Sequence, residues 1–348
     1  MRKIKFDPGK TKPMDLSQIS DSISFKILVD DKGYEIGDYE EVFLVDSLII
    51  IPQKAKGKIL MFDLDGNPKR KLELLTPGPG QILNMSDVYL NRDKRVLEVL
   101  DKQITKIFAY DLTGKFIEEV PIKDFKKTGF QFASASDLYV FERISTKRTN
   151  DRLGIFDSHL KHIQSSLKIP DPILKMNYVR QHALEVYRDS VFYLPLLENK
   201  IYHVDETGAH VAYEFDLPDA YKISDDFLKN EKFDALGIFL EEMQRSKLIV
   251  NTDHLYLTDD LIYFYYKTEK EWKNLLYSKR SQKVIGYTHL KVDAPSELTL
   301  TAAVVGTDGT HFAYLVHPSN NAKLPENIKR KLGPNGNPVL LYFKFKKF

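Results

Sequence analysis

Short apolar runs recur along the chain in matched pairs, each pair folded about a tight polar turn. The segments are KILMFDLDGNPKRKLEL from Lys58, KIFAYDLTGKFIEEVPI from Lys106, RLGIFDSHLKHIQSSLKI from Arg152 and KIYHVDETGAHVAYEFDL from Lys200. Each runs apolar into an aspartate, turns, and continues in alternation, the period-two pattern of a strand with one buried face. The aspartates Asp63, Asp111, Asp157 and Asp205 lie 48, 46 and 48 residues apart. A fixed period in that range, with several strands per unit, predicts a β-propeller.

Each unit divides into four strands. The first comprises Glu41–Val45, Ser47–Pro52, Lys58–Asp63 and Pro68–Leu75, with Asp65-Gly66 as the hairpin signal between the last two. Thr113-Gly114 and Thr207-Gly208 serve the second and fourth units, while Ser158-His159 replaces the glycine turn in the third. Between Leu217 and Lys247 the period stretches. Phe227, Phe233, Leu236, Phe239, Leu240 and Met243 stand there at helical spacing, which predicts one or two amphipathic helices inserted after the fourth blade, around 218–247. Leu248–Leu257, Leu261–Lys267, Trp272–Tyr277 and Lys283–Leu290 form a fifth unit.

The sixth unit is incomplete in chain order. Leu298–Val305, His311–His317 and Pro338–Phe345 supply three strands, the last after a predicted helix over Pro325–Leu332. The fourth is expected from Ser22–Val29 at the other end, which would close the ring and remove an open sheet edge. The expectation is therefore an all-β, six-bladed propeller of four-stranded antiparallel blades, a single domain over 1–348 with an N-terminal extension over 1–20.

Composition adds exclusions. Lys plus Arg total 51 against 49 Asp plus Glu, a net charge of +2, so no nucleic-acid partner is expected. With no cysteine the chain has neither disulfides nor thiolate metal sites. No apolar stretch approaches the ~18–20 residues that span a bilayer, and the N-terminus MRKIKFDPGKTKPMDL lacks the apolar core of a signal peptide.

Three features resemble the uncharacterised six-bladed propeller proteins of Bacteroidetes, distant relatives of NHL-repeat propellers. They are TPGPGQ at Thr76–Gln81, the repeated K-I-x-x-Y/F-D-x-x-G-K strand pair, and NPVLLYFKFK near the C-terminus. Gln81 where the family tends to carry Glu, the degenerate third repeat and the insertion after Leu217 are departures. The resemblance covers nearly the whole chain. It implies export to the periplasm or cell surface, in preference to the cytoplasm, with a signal and a lipid-bearing cysteine outside this sequence. It carries no activity.

Local chemistry is sparse. The Pro77-Gly78-Pro79-Gly80 run lacks the Lys-Ser/Thr of a phosphate loop and reads as a connector between blades. Carboxylates opening a hairpin most naturally accept turn N–H groups, which is the role assigned to the four repeated aspartates. Arg143, Arg148 and Arg152 read as a solvated loop. His182 and His254 fall on predicted inner strands that line the central channel, as hydrogen-bonded wall residues. Strand ends on one face of a propeller commonly form the ligand funnel, so Arg180, His182, Tyr187, Arg188, Asp253 and His254 are the candidate ligand-binding residues. No catalytic residue, metal site or cofactor is assigned, although a divalent ion in the channel is compatible with the fold. The leading expectation is a non-catalytic binding or scaffold propeller for a protein, peptide or glycan. The alternative is a metal-dependent hydrolase, lactonase or polysaccharide lyase acting at the channel mouth.

Overall fold

The computed structural model describes residues 1–348 except 32, 38, 40, 76–77, 79, 125–130, 136, 144–149, 170–181, 225–226, 228–240, 243–244, 269–270, 293–297 and 333–335. Before the first blade come β1 (Arg2–Lys5), β2 (Lys12–Asp15) and β3 (Ser20–Ile27). Blade one is β4 (Phe43–Val45), β5 (Leu48–Gln53), β6 (Lys58–Asp63) and β7 (Pro68–Glu73). Blade two is β8 (Asp87–Asn91), β9 (Val96–Asp101), β10 (Lys106–Asp111) and β11 (Phe116–Pro121). Blade three is β12 (Gln131–Ala135), β13 (Leu138–Glu142), β14 (Asp151–Asp157) and β15 (His162–Lys168). Blade four is β16 (Leu184–Tyr187), β17 (Ser190–Tyr193), β18 (Lys200–Asp205) and β19 (Gly208–Asp216).

Blade five is β20 (Ile249–Leu257), β21 (Leu261–Thr268), β22 (Glu271–Ser278) and β23 (Val284–Lys291), against whose end lies β24 (Thr299–Leu300). Blade six is β25 (Gly306–Thr307), β26 (Phe312–Val316) and β27 (Val339–Phe345), completed by β3. Strand β3 runs antiparallel to β27, with Ile23 opposite Phe343 and Ile27 opposite Val339. The chain thus forms the six-bladed propeller its repeats predict, closed by the expected segment.

Inner strands are apolar on both faces because neighbouring blades cover both. Phe43, Leu44 and Val45 of β4 are all buried, as are Ile49, Ile50 and Ile51 of the next strand, β5, and the core lies as apolar layers between adjacent sheets. Outer strands are wetter: in β11 only Phe116 and Val120 are half-buried, while Ile117, Glu118, Glu119 and Pro121 are exposed. The repeated aspartates take their expected part. Asp63 Oδ1 accepts from Asp65 N and Asn67 N at 3.0 and 2.9 Å, and Asp111 Oδ1 from Thr113 N and Lys115 N at 2.8 and 2.9 Å. Asp157 repeats the pattern, while Asp205 accepts from Thr207 N at 2.8 Å and the amide of Ala209 donates instead to Ser166 Oγ at 3.1 Å.

Two parts of the sequence reading change. The N-terminal extension is built into the sheets: β1 pairs in parallel with β19, and β2 with β23. Blades four and five each gain an outer strand, and the segment from Arg2 to Ile27 covers the edges of three successive blades. Ile4 and Phe6 anchor it between blades four and five. Secondly, Leu298–Val305 is not the inner strand of blade six. Thr299–Leu300 pairs with blade five, Val304 N donates to Tyr263 Oη (2.9 Å) and Val305 O accepts from Val42 N (2.8 Å). The inner strand shrinks to Gly306–Thr307. A Cβ on Gly306 would lie 2.0 Å from Val42 O, so only glycine lets blade one approach there. The predicted helical insertion lies largely outside the described residues, as do parts of the Thr76–Gln81 connector; there Gly80 O accepts from Tyr110 Oη (2.5 Å).

Candidate functional site

Six inner strands face the axis of the ring, and the charges they carry meet there. His182 immediately precedes β16 and has φ +48°, an angle that turns the chain sharply into the strand. Its Nδ1 lies 2.6 Å from Glu41 Oε1 and its Nε2 lies 2.8 Å from Glu185 Oε2. Glu41 leads into blade one, opposite blade four in a ring of six, so the contact spans the channel. Tyr256 of β20 stacks on the imidazole at 4.5 Å between centroids, and Leu255 N donates to His182 O at 3.0 Å.

Burial works to lower the pKa of His182, but Glu41 and then Glu185 outweigh it and push it up to about 10. The ring is therefore an imidazolium with both N–H groups donated to carboxylates. Glu185 is itself pushed up by desolvation, with His182 pulling the other way. Arg92 completes this layer. Its two terminal nitrogens donate to Leu44 O and Thr307 O, each at 2.7 Å, tying blade two to blades one and six. A second pair sits beside it: Lys54 Nζ and Asp87 Oδ1 are 2.8 Å apart, and Asp87 Oδ2 accepts from Phe132 N of blade three at 3.0 Å.

Among the described residues these groups pair with one another across the channel, and two small spaces beside them measure about 20 Å³ each, the room of one water molecule. The Tyr256 hydroxyl, buried and without a hydrogen-bond partner, borders one of them. Among the described residues no group of three or more His, Asp or Glu side chains is arranged to hold a metal ion. His182 has no lone pair to offer while both nitrogens donate.

The candidate residues are dispersed. Arg180 lies outside the described residues. Tyr187 and Arg188 stand at the far end of β16 from His182. There Asp259 Oδ1 accepts from Tyr187 Oη at 2.7 Å and from Arg188 Nε at 3.0 Å, while Lys279 Nζ sits 3.8 Å over the Tyr187 ring. Burial lowers the Lys279 ammonium to about 8. Asp253 and His254 are buried in an irregular stretch of β20, His254 edge-on to Tyr265. His182 alone of the described candidates belongs to the channel cluster. Its partners Glu41, Glu185 and Arg92 went unassigned in the sequence, although a charge beside or within an inner strand was the available signal. Arg143 and Arg152, expected in solvent, are buried and reach Asp151 and Glu198 at 4.0 and 3.4 Å.

Two larger openings lie away from the axis. One of about 330 Å³, between blades four and five, is lined by Phe6, Leu194, Phe215, Tyr221 and Phe264 with Glu198 and Lys200. The other, about 640 Å³, lies between blades five and six among Asp259, Asp260, Arg280, Thr310, Lys344 and Lys347. It sits on the face that carries the turns between the first and second strands of the blades.

A family profile described as a domain of unknown function, DUF4934, matches residues 2–344. No curated protein matches the chain in sequence. Among solved structures, the chain is similar to a presumed exported protein of Bacteroides fragilis NCTC 9343, at 15% identity with a TM-score of 0.76 over 99% of this chain and 100% of that one. It is also similar to a DUF4221-family member of Bacteroides vulgatus, at 12% identity with a TM-score of 0.54 over 94% and 97%. At those identities the likeness is one of fold. Among the described residues no helix is long and apolar enough to cross a membrane.

Proposed function

The chain belongs to the DUF4934 family, whose function is unknown, and from that premise we propose that it is an exported, non-catalytic binding propeller that recognises a protein, peptide or glycan through one face of the disc. One observation carries this reading. The channel, where propeller enzymes gather their reactive groups, is plugged by the Glu41–His182–Glu185 clamp down to spaces of about 20 Å³, whereas the groove between blades five and six has about 640 Å³. Ligand sites commonly fall between 300 and 1,000 Å³. The presumed export of the Bacteroides fragilis structural relative supports an extracytoplasmic location.

The alternative, a metal-dependent hydrolase, lactonase or lyase, draws on the convergence of two glutamates and a histidine. Their mutual hydrogen bonds speak against it, because a metal would need both a free imidazole nitrogen and room beside it. The test is a glycan and peptide array probed with the purified chain, alongside lactone and polysaccharide turnover assays with added divalent ions. Binding to one class of ligand without turnover supports the proposal. Metal-dependent turnover that Glu41→Gln abolishes would overturn it.

A further inference from the structure

In blades one to five the third and fourth strands are joined by a hairpin on the face that bears the large groove, from Asp63–Asn67 in blade one to Ser278–Lys283 in blade five. Blade six has none. Its fourth strand is β3, brought from the N-terminal part of the chain, so β27 is not turned back there. The ring of turns is therefore interrupted beside blade six. The gap is the groove: Thr258–Leu261 and Ser278–Ser281 of blade five form one wall, Gly309, Thr310 and Lys344–Phe348 of blade six the other. Closure of the ring and the opening of this groove are one topological event.

Its charge is one-sided. Four cationic side chains, Arg280, Lys344, Lys346 and Lys347, line it against the carboxylates of Asp259 and Asp260. Both acids are already engaged, Asp259 by Arg188 at 2.8 Å and Asp260 by Lys347 at 3.6 Å. Lys346 Nζ donates to Ser17 O. Arg280 and Lys344 make no ion pair among the described residues. Beneath the cations Leu261, Phe312 and Phe345 belong to the core and are 6%, 1% and 3% exposed, so the charged side chains supply the contacts this groove offers.

We infer that this seam groove binds an acidic peptide segment, its carboxylates on Arg280 and Lys344; the inference rests on the binding reading above and names its ligand. Charge complementarity selects the acid. A peptide suits the groove better than a sugar does, because a pyranose stacks on an open aromatic face and Phe312 and Phe345 are only 1% and 3% exposed, whereas side-chain carboxylates need only the cations.

The test is fluorescence anisotropy with a labelled Glu-Glu-Phe-Glu-Glu peptide, its Lys-for-Glu counterpart and a labelled uronic-acid trisaccharide. The proteins are the full chain, an Arg280→Glu/Lys344→Glu variant, an Arg280→Ala/Lys344→Ala variant and Lys161→Glu, which changes charge on blade three. Thermal melts establish that each is folded. The expected result is that the acidic peptide alone binds, that both double variants weaken it by about tenfold or more, and that Lys161→Glu leaves it unchanged. Equal binding to all four proteins, or no binding of the acidic peptide, would overturn the site or its ligand. Trisaccharide binding lost in the double variants would overturn the peptide while leaving the binding reading intact, and that reading is tested separately by the arrays.

Discussion

The Nδ1 of His182 meets Oε1 of Glu41 at 2.6 Å across the axis of the ring, joining the lead-in of blade four to the lead-in of blade one. With Glu185 on the other nitrogen, a largely buried cation is held between two partly exposed anions, the three side chains being 10–14% exposed. Replacing one member leaves the others unpaired in a poorly solvated site. His182→Ala should cost about 3–5 kcal/mol, the usual penalty for breaking a buried ion pair from one side. Urea unfolding of the variant against the parent measures it; a loss under 1 kcal/mol would show the carboxylates to be solvated.

The same cluster sets a pH dependence. The folded pKa of His182 is raised to about 10 by Glu41 and Glu185, above the ~6.5 of an unfolded chain. Its stabilising contribution is therefore complete below pH ~6.5 and fades as pH rises toward 10. The stability difference between the parent and His182→Gln should shrink over that interval. Glu185, Glu41, Arg92 and the Tyr256 ring face the imidazole, and Glu185→Gln should shift the window to lower pH.

Tyr256 and Tyr263 offer a paired test of buried hydroxyls. Tyr263 Oη donates to Asn274 Oδ1 at 2.6 Å and accepts from Val304 N at 2.9 Å, whereas Tyr256 Oη has no partner. Tyr263→Phe should lose about 1–3 kcal/mol and Tyr256→Phe should be neutral or stabilising. A loss at Tyr256 comparable to that at Tyr263 would place a bound water in the adjoining cavity.

Asp111→Ala removes the acceptor of two turn N–H groups, and Asp205→Ala, in another blade, that of the Thr207 N–H and hydroxyl. Each should cost about 1 kcal/mol, and the double variant should show the sum, since the sites share no partner. Peptide or glycan binding should not change. Differential scanning calorimetry together with the arrays reads both.

Deleting residues 1–15 would expose the outer edges of β19 and β23 while keeping β3 in place. The expected outcome is a folded propeller that self-associates through those edges, seen as a higher mass in light scattering. Deleting through Ile27 also opens the ring, and should abolish cooperative unfolding.

The repeat was legible because each blade obeys local rules: alternation for strands, Asp-Gly or Thr-Gly for hairpins, an aspartate to satisfy the turn. Closure by an N-terminal strand, expected at Ser22–Val29 and found at Ser20–Ile27, was legible too, since a propeller leaves no blade incomplete. The axis was another matter. Glu41 lies 141 residues (182−41) from His182 and 144 (185−41) from Glu185, and Arg92 falls between them in sequence; only the ring brings them to one place. The same holds for the seam groove, whose cations come from blade five and the end of β27. Strand patterns are written in neighbours along the chain and follow from backbone geometry. A buried ion cluster and a groove are relations between blades, and the curvature that closes six sheets into a ring creates both.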